Sequence, residues 1–270
     1  MPIQFVSSLN KRLYQEYGKR FISEFLKNKG EGVHLTIVFE DGIPDSAYGF
    51  KGLNILELKD SRHPQFIKFF GNLVEANGYR VSFKKDVLGQ TNVTVSKSFR
   101  HDAVRFSFKA FSLNLALEIL PKDQSIAWID ADMRCTQPFT ETDIKPLMPH
   151  KRQIMSYLGR SAFPPNSPYS ECGFLGFNKK NPKLRPFLKR VESLYLSGEI
   201  FSKSQWHDSW LWDEIRREFE KKGLEFYNLS GEFHGVEHPF VNTGLGKFFD
   251  HLKGPERKAQ GSSFQRDYVK

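Results

Sequence analysis

No stretch of this chain approaches the roughly eighteen consecutive apolar residues that a bilayer-spanning helix requires. The opening MPIQFVSSLNKRLYQEYGKR also lacks the unbroken apolar core of a secretory leader, which predicts a cytoplasmic protein with no transmembrane segment. Cysteine is scarce. Cys135 and Cys172 sit neither in a CxxC nor at metal-ligand spacing, so a disulfide framework is excluded and both read as small buried residues. Internal repeats, low-complexity runs and a convincing linker are missing too, which argues for one domain, residues 1–251, followed by a polar, basic tail, 252–270.

What is present suits a soluble α/β protein. The 270 residues are 39% hydrophobic, enough for a sizeable core. Twenty-six phenylalanines are scattered rather than clustered and read as core filler. Forty Lys plus Arg against 31 Asp plus Glu give a net charge of +9, which favours anionic partners. The basic residues form only small groups, such as Lys179-Lys180, Arg216-Arg217 and Lys253 to Lys258, each compatible with a solvated face.

Periodicity supplies the order of elements. An apolar run at 3–6 is followed by Asn10, a plausible cap, and then by Leu13, Tyr14, Tyr17, Phe21, Ile22, Phe25 and Leu26 at helical spacing. Gly30 and Gly32 close that helix, and VHLTIVF (33–39) predicts a second strand ending on Glu40-Asp41-Gly42. Residues 62–77 read as helical and 79–100 as an irregular loop over a site. From Asp102 a long helix runs to Pro121, apolar on enough of its circumference to be buried on more than one side. A strand at 125–129 follows, the return expected of an α/β sheet. Beyond it the pattern predicts strands at 153–158 and 173–177, a Pro-rich turn at 164–168, and helices near 183–196 and 208–222.

The 125–129 strand ends in WIDADM, with Asp130 and Asp132 one residue apart. Residues i and i+2 of extended chain point to one side, so both carboxylates can face one hard divalent cation, Mn²⁺ or Mg²⁺, together with substrate phosphates. Strand ends are also where open α/β sheets bind ligands. A phosphohydrolase of the haloacid dehalogenase type ends a strand on D-x-D as well. It needs Thr or Val two residues after the second Asp, where this chain has Arg134, and it carries the motif near its N-terminus. A nucleic-acid-binding module would use the net charge directly but leaves the Asp pair unexplained, since carboxylates repel a phosphate backbone.

The succession strand-helix-strand, RFSFKAF (105–111), WIDADM, GFLGFN (173–178), HDSW (207–210) and HLKG (251–254) resembles the GT-A glycosyltransferases, and among them the family-8 enzymes related to glycogenin and lipopolysaccharide galactosyltransferases. The resemblance implies a GT-A fold, a Rossmann-like, mostly parallel sheet with flanking helices, and sugar transfer from a nucleotide-sugar donor, a UDP-sugar, to a glycan, lipid or protein acceptor. It implies that Asp130, Asp132 and His251 hold the metal, with Asp130 also on the donor side. It places Arg105 and Lys109, one turn apart, on the donor, and Ser7, Ser8, Asn10 and Tyr14 at the nucleoside pocket. In the tail the family's H-x-x-G-x-x-K-P-W becomes His251-Leu252-Lys253-Gly254-Pro255-Glu256-Arg257-Lys258, without Pro-Trp. Lys253, Gly254, Arg257 and Lys258 are its expected diphosphate contacts. Two acids remain for the chemical step. Asp208, at a helix start where it could equally serve as cap, is the first choice, and Glu171, ahead of GFLGFN, is the second.

Overall fold

The computed structural model describes residues 2–85, 87, 89–121, 123–150, 152–160, 169–231 and 238–268; the Pro-rich turn expected at 164–168 lies outside them. Strands β1 (Ile3–Leu9) and β2 (Val33–Phe39) pair in parallel, Ile3 opposite Val33 through Leu9 opposite Phe39. Their connection is helical, with α1 (Lys11–Leu13) passing through a π-helical turn at Tyr14–Gly18 into α2 (Lys19–Asn28). Asn10 caps it, Oδ1 accepting the Leu13 N–H at 2.9 Å. Strand β3 (Leu53–Glu57) extends the sheet and α3 (His63–Phe70) follows. The helix expected over 62–77 stops at Gly71, and only a single 3-10 turn, Glu75–Asn77, lies beyond.

Residues 79–100 correct the expectation of an irregular loop. They form an antiparallel hairpin, β4 (Tyr79–Lys85) and β5 (Thr91–Lys97), which makes a two-stranded sheet of its own. Tyr79, Val81 and Phe83 alternate with Arg80, Ser82 and Lys84, the period of a strand, but the high Lys, Thr, Asn and Ser content obscured it.

The chain continues through α4 (Ala103–Ile119), β6 (Ser125–Ile129), β7 (Met133–Cys135), α5 (Glu141–Ile144), β8 (Gln153–Leu158), β9 (Glu171–Phe177), α6 (Leu184–Leu196), α7 (Asp208–Glu220), β10 (Glu225–Asn228), β11 (Phe249–His251) and α8 (Gly254–Gln260). Seven strands form the central sheet in the order β10-β8-β9-β6-β1-β2-β3. Four of its six pairings are parallel; β9 runs antiparallel to both β6 and β8. β6 and β9 are buried along their whole length, as strands covered on both faces must be.

Alternation along β6 builds two cores. Ile126 and Trp128 join the layer of α3, α4, α6 and α7, whereas Ala127 and Ile129 join Phe5, Phe25, Phe139 and Phe249 on the α2 side. In that second layer Phe5 meets Phe25 at 5.2 Å between ring centroids, Phe25 meets Phe139 at 5.3 Å and Phe139 meets Phe249 at 4.8 Å, all edge-on. Burial of each such ring contributes about 1.5–3 kcal/mol. The cluster fixes β11, and with it His251, against β7. Helix α4 lies between the sheet and α6, buried on more than one side as its composition predicts.

The segment after residue 252 is not an extended tail. Helix α8 opens at Gly254, whose φ of +84° suits glycine, with Pro255 in the first turn. Arg257 pairs with the buried Asp267, which turns the chain back on itself. Polar contacts hold what has no apolar face. Among the described residues, no helix is long and apolar enough to cross a membrane.

Candidate functional site

Because β1, β2 and β6 are parallel, their carboxyl ends converge, and Asn10, Glu40 and Asp130 border one cavity of about 650 Å³. A second cavity, of about 750 Å³, is lined by Phe106, Arg160, Tyr169, Glu171, Lys253 and Gly254 among others. Arg105, Asp130, Asp132, Asp208 and Lys258 line both, so the acidic group stands where the two meet.

Asp130, Asp132 and His251 each offer one ligand atom, and these atoms all lie within 4.8 Å of one another. His251 Nε2 is 3.3 Å from Asp132 Oδ1 and 4.0 Å from Asp130 Oδ2. Two carboxylates and an imidazole are a donor set that a divalent cation accepts. The other ring nitrogen, Nδ1, is buried without a hydrogen-bond partner and faces Glu171 Oε1 at 3.6 Å. A carboxylate on that side favours the tautomer that leaves Nε2 available to a metal. The residues therefore fit such an ion. Room for the ring comes from Gly173 in GFLGFN: a Cβ there would stand 2.8 Å from His251 Cε1 and Nδ1 and 3.1 Å from Met133 Cε. The Gly173 carbonyl also accepts the Asp130 N–H at 3.0 Å.

Lys109 organises the other side. Its buried ammonium donates to Asp208 Oδ2 at 2.6 Å and the Cys172 carbonyl at 2.8 Å, and lies 3.1 Å from Asp130 Oδ1. Trp128 Nε1 donates to the same Asp130 oxygen at 2.6 Å. Burial pushes the Lys109 ammonium down, but Asp130 and Asp208 outweigh it and hold the charge well above the ordinary range. Burial also opposes ionisation of Asp208, and Lys109 overcomes it by charge and hydrogen bond, so the carboxyl sits below its usual range. At Asp130, burial reinforced by Asp132 and Asp208 prevails over Lys109 and raises the carboxyl. That carboxylate lacks a full complement of positive charge.

Asp132 and Glu171 each take one cation from the C-terminal segment. Lys258 Nζ lies 2.8 Å from Asp132 Oδ2. Lys253 pairs with Glu171, which also accepts from Arg160 Nη2 at 3.0 Å. Burial acts against both carboxylates. At Asp132 the hydrogen bond and charge of His251, with Lys258, more than offset it; at Glu171 Lys253, His251 and Arg160 do so, and both fall well below the usual range.

The remaining expected residues divide. Ser8 and Asn10 reach the first cavity, and Ser8 Oγ donates to Glu40 Oε1 at 2.7 Å. Arg105 lines both cavities and lies over the Phe99 and Phe106 rings, at 5.1 and 5.8 Å. Ser7 is fully buried in β1 and lines neither cavity. Tyr14 is a correction: it is wholly buried, packs edge-on against Phe39 at 5.6 Å and shares a 3.0 Å hydrogen bond with Ser46, because its place on the helix faces the core. Tyr17, three residues on, lines the first cavity instead. Arg257 is likewise turned to Asp267 and away from both cavities. Asp208 is the first residue of α7 rather than its cap; His207 Nδ1 accepts the Trp210 N–H at 3.3 Å in that role. Cys135 and Cys172 are free and buried, as expected.

Glu40, Arg160 and Trp128 were missed. For Glu40 a signal existed: it closes the second apolar strand as Asp130 closes that of β6. Burial raises its carboxyl to about 7.

No protein-family model and no curated protein matches the chain. Solved structures do. The glycosyltransferase GlyE of Streptococcus pneumoniae is 11% identical with a TM-score of 0.47, covering 86% of this chain, which spans only about half of GlyE, 46%. A glycosyltransferase involved in glycosylation of the major capsid of PBCV-1 is 11% identical over 96% of this chain and 100% of its own, with a TM-score of 0.49. An active-site mutant of LgtC is 10% identical over 93% of this chain and 88% of its own, with a TM-score of 0.51. The likeness to LgtC shows the fold, a GT-A architecture with a mostly parallel central sheet.

Proposed function

We propose that this protein is a metal-dependent glycosyltransferase that moves a sugar from a nucleotide-sugar, a UDP-sugar, to a glycan, lipid or protein acceptor. The observation that carries this reading is the placing of Asp130, Asp132 and His251 at a strand end of a GT-A sheet, between two cavities. These three would hold Mn²⁺ or Mg²⁺, and a bound ion supplies charge stabilisation for the departing diphosphate. In the first cavity Ser8, Asn10, Tyr17 and Glu40 border the place for the nucleoside, and Arg105 and Lys258 add positive charge on the diphosphate side. The second cavity has room for the acceptor.

Asp208 stands where the two substrates would meet, kept ionised by Lys109. An ionised carboxylate there serves as base on the acceptor hydroxyl in an inverting reaction, or steadies an oxocarbenium-like transition state in a retaining one. Glu171, tied to Arg160 and Lys253 and facing His251, is better suited to holding the histidine than to reacting.

Thermal unfolding with UDP and UDP-sugars, each with and without Mn²⁺, tests the reading. Nucleotide and metal together should raise the melting temperature, since a ligand at about a hundred times its Kd adds about 2.7 kcal/mol to the folded state. Asp132→Asn should remove the increment. Equal stabilisation without metal, or in the variant, refutes the metal-dependent site; salt-sensitive oligonucleotide binding that needs no metal would support a nucleic-acid partner instead.

A further inference from the structure

The β4–β5 hairpin has an uncovered apolar face. Of the thirteen large hydrophobic side chains most exposed among the described residues, ten lie between 69 and 99. Cross-strand pairing sets Val81 opposite Val95 and Phe83 opposite Val93 on one face, with Tyr79 and Lys97 at the base and Lys85 and Thr91 toward the tip. All fourteen strand residues are exposed, and Val87 in the connection is fully so. A lone two-stranded hairpin is marginal in water. At its base the Ser98 N–H donates to the Gly78 carbonyl at 2.6 Å and Arg80 Nη2 donates to His101 Nε2 at 2.6 Å.

Size and charge select what covers that face. Seven residues of strand are about 23 Å long and two strands about 10 Å wide, some 230 Å², whereas a stable protein interface takes roughly 800 Å² from each partner. Residues 79–97 carry Arg80, Lys84, Lys85 and Lys97 against one acid, Asp86, a net charge of 4 − 1 = +3. A second copy would set +3 against +3. A narrow apolar strip beside lysines, whose stems extend along apolar surface while their charges reach outward, matches the headgroup boundary of an anionic bilayer.

We propose that the β4–β5 hairpin docks this protein on an anionic lipid surface, with Val81, Phe83, Val93 and Val95 entering the headgroup boundary and Lys85 and Lys97, on the same face, meeting lipid phosphates. Lys97, the last residue of β5, also lines the first cavity, so the docked surface adjoins the substrate site. The inference stands on the hairpin alone and does not need the sugar-transfer reading.

Sedimentation of the full chain with vesicles tests it, using phosphatidylcholine alone and phosphatidylcholine mixed with phosphatidylglycerol. The wild type should sediment with the mixed vesicles, less so at high salt, and stay in solution with phosphatidylcholine. Lys85→Glu with Lys97→Glu should lower the partition coefficient at least about tenfold, and Phe83→Ser with Val95→Ser should do the same. All four side chains are exposed, so melting temperatures should match the wild type; Lys85→Glu and Phe83→Ser singly repeat the test should a double variant fail to fold. Absence of wild-type sedimentation with mixed vesicles overturns the proposal, as does a variant pair that sediments like the wild type. A wild-type dimer in velocity sedimentation that Phe83→Ser dissociates would assign the face to a second copy and overturn it equally.

Discussion

The acidic group divides into two halves held by different means. Asp130 and Asp208 share Lys109, which projects from the middle of the buried α4 and whose side chain is 9% exposed. Asp132 and Glu171 are met by Lys258 and Lys253, from a segment with no apolar face, and those side chains are 39% and 43% exposed. One half takes its lysine from the core, whereas the other takes its lysines from the surface, with Arg160 adding to Glu171. On the function proposed above, this divides the labour into fixed charge near the chemistry and detachable charge where an incoming cation or diphosphate displaces a lysine.

Removing each lysine puts that comparison to its hardest test. Lys109→Met removes a buried ammonium from two partly buried carboxylates and should cost up to about 3–5 kcal/mol, seen as a large fall in melting temperature in chelator. Lys258→Met removes a partly exposed pair worth about 1 kcal/mol or less and should leave the melting temperature almost unchanged. Similar losses would erase the distinction. Next comes Asp208→Asn, expected to lower kcat by about a hundredfold or more while UDP affinity stays near wild type. Retained turnover in steady-state assays would move the chemical step to Glu171.

The smallest effect is at Glu40. Its folded carboxyl, raised by burial to about 7, favours the protonated form, so its contribution to stability is complete below the ordinary carboxylate range and lost as pH rises toward 7. Glu40→Gln should therefore raise the melting temperature, relative to wild type, more at pH 8 than at pH 5. A pH-independent difference would show that the carboxyl is not perturbed in this way.

How much of this could be read beforehand depended on the distance over which the signal travels. The β1–α2–β2 unit, the long buried α4 and the strand ending on Asp130 are local, written as hydrophobic periods over fewer than twenty residues, and the sheet reproduces them. His251 was located only through the family resemblance, and the structure brings it to the aspartates. The Lys109–Asp208 pair joins residues 99 apart, and no local pattern carries such information. Periodicity alone left open whether Tyr14 or Tyr17 faces the cavity, because both lie on the apolar side of one helix. The hairpin was concealed by composition, since strands exposed on both faces need not be rich in apolar residues.

Gly173 bears on how the site tolerates change. It has no side chain to donate, accept or carry charge, yet the His251 ring occupies the volume any side chain would need. A glycine of this kind is as closed to substitution as the histidine it makes room for, for a reason of volume rather than chemistry. The footprint of the Asp130, Asp132 and His251 group in the sequence is thus larger than those three residues, and drift at that strand position would displace the imidazole without altering any of them.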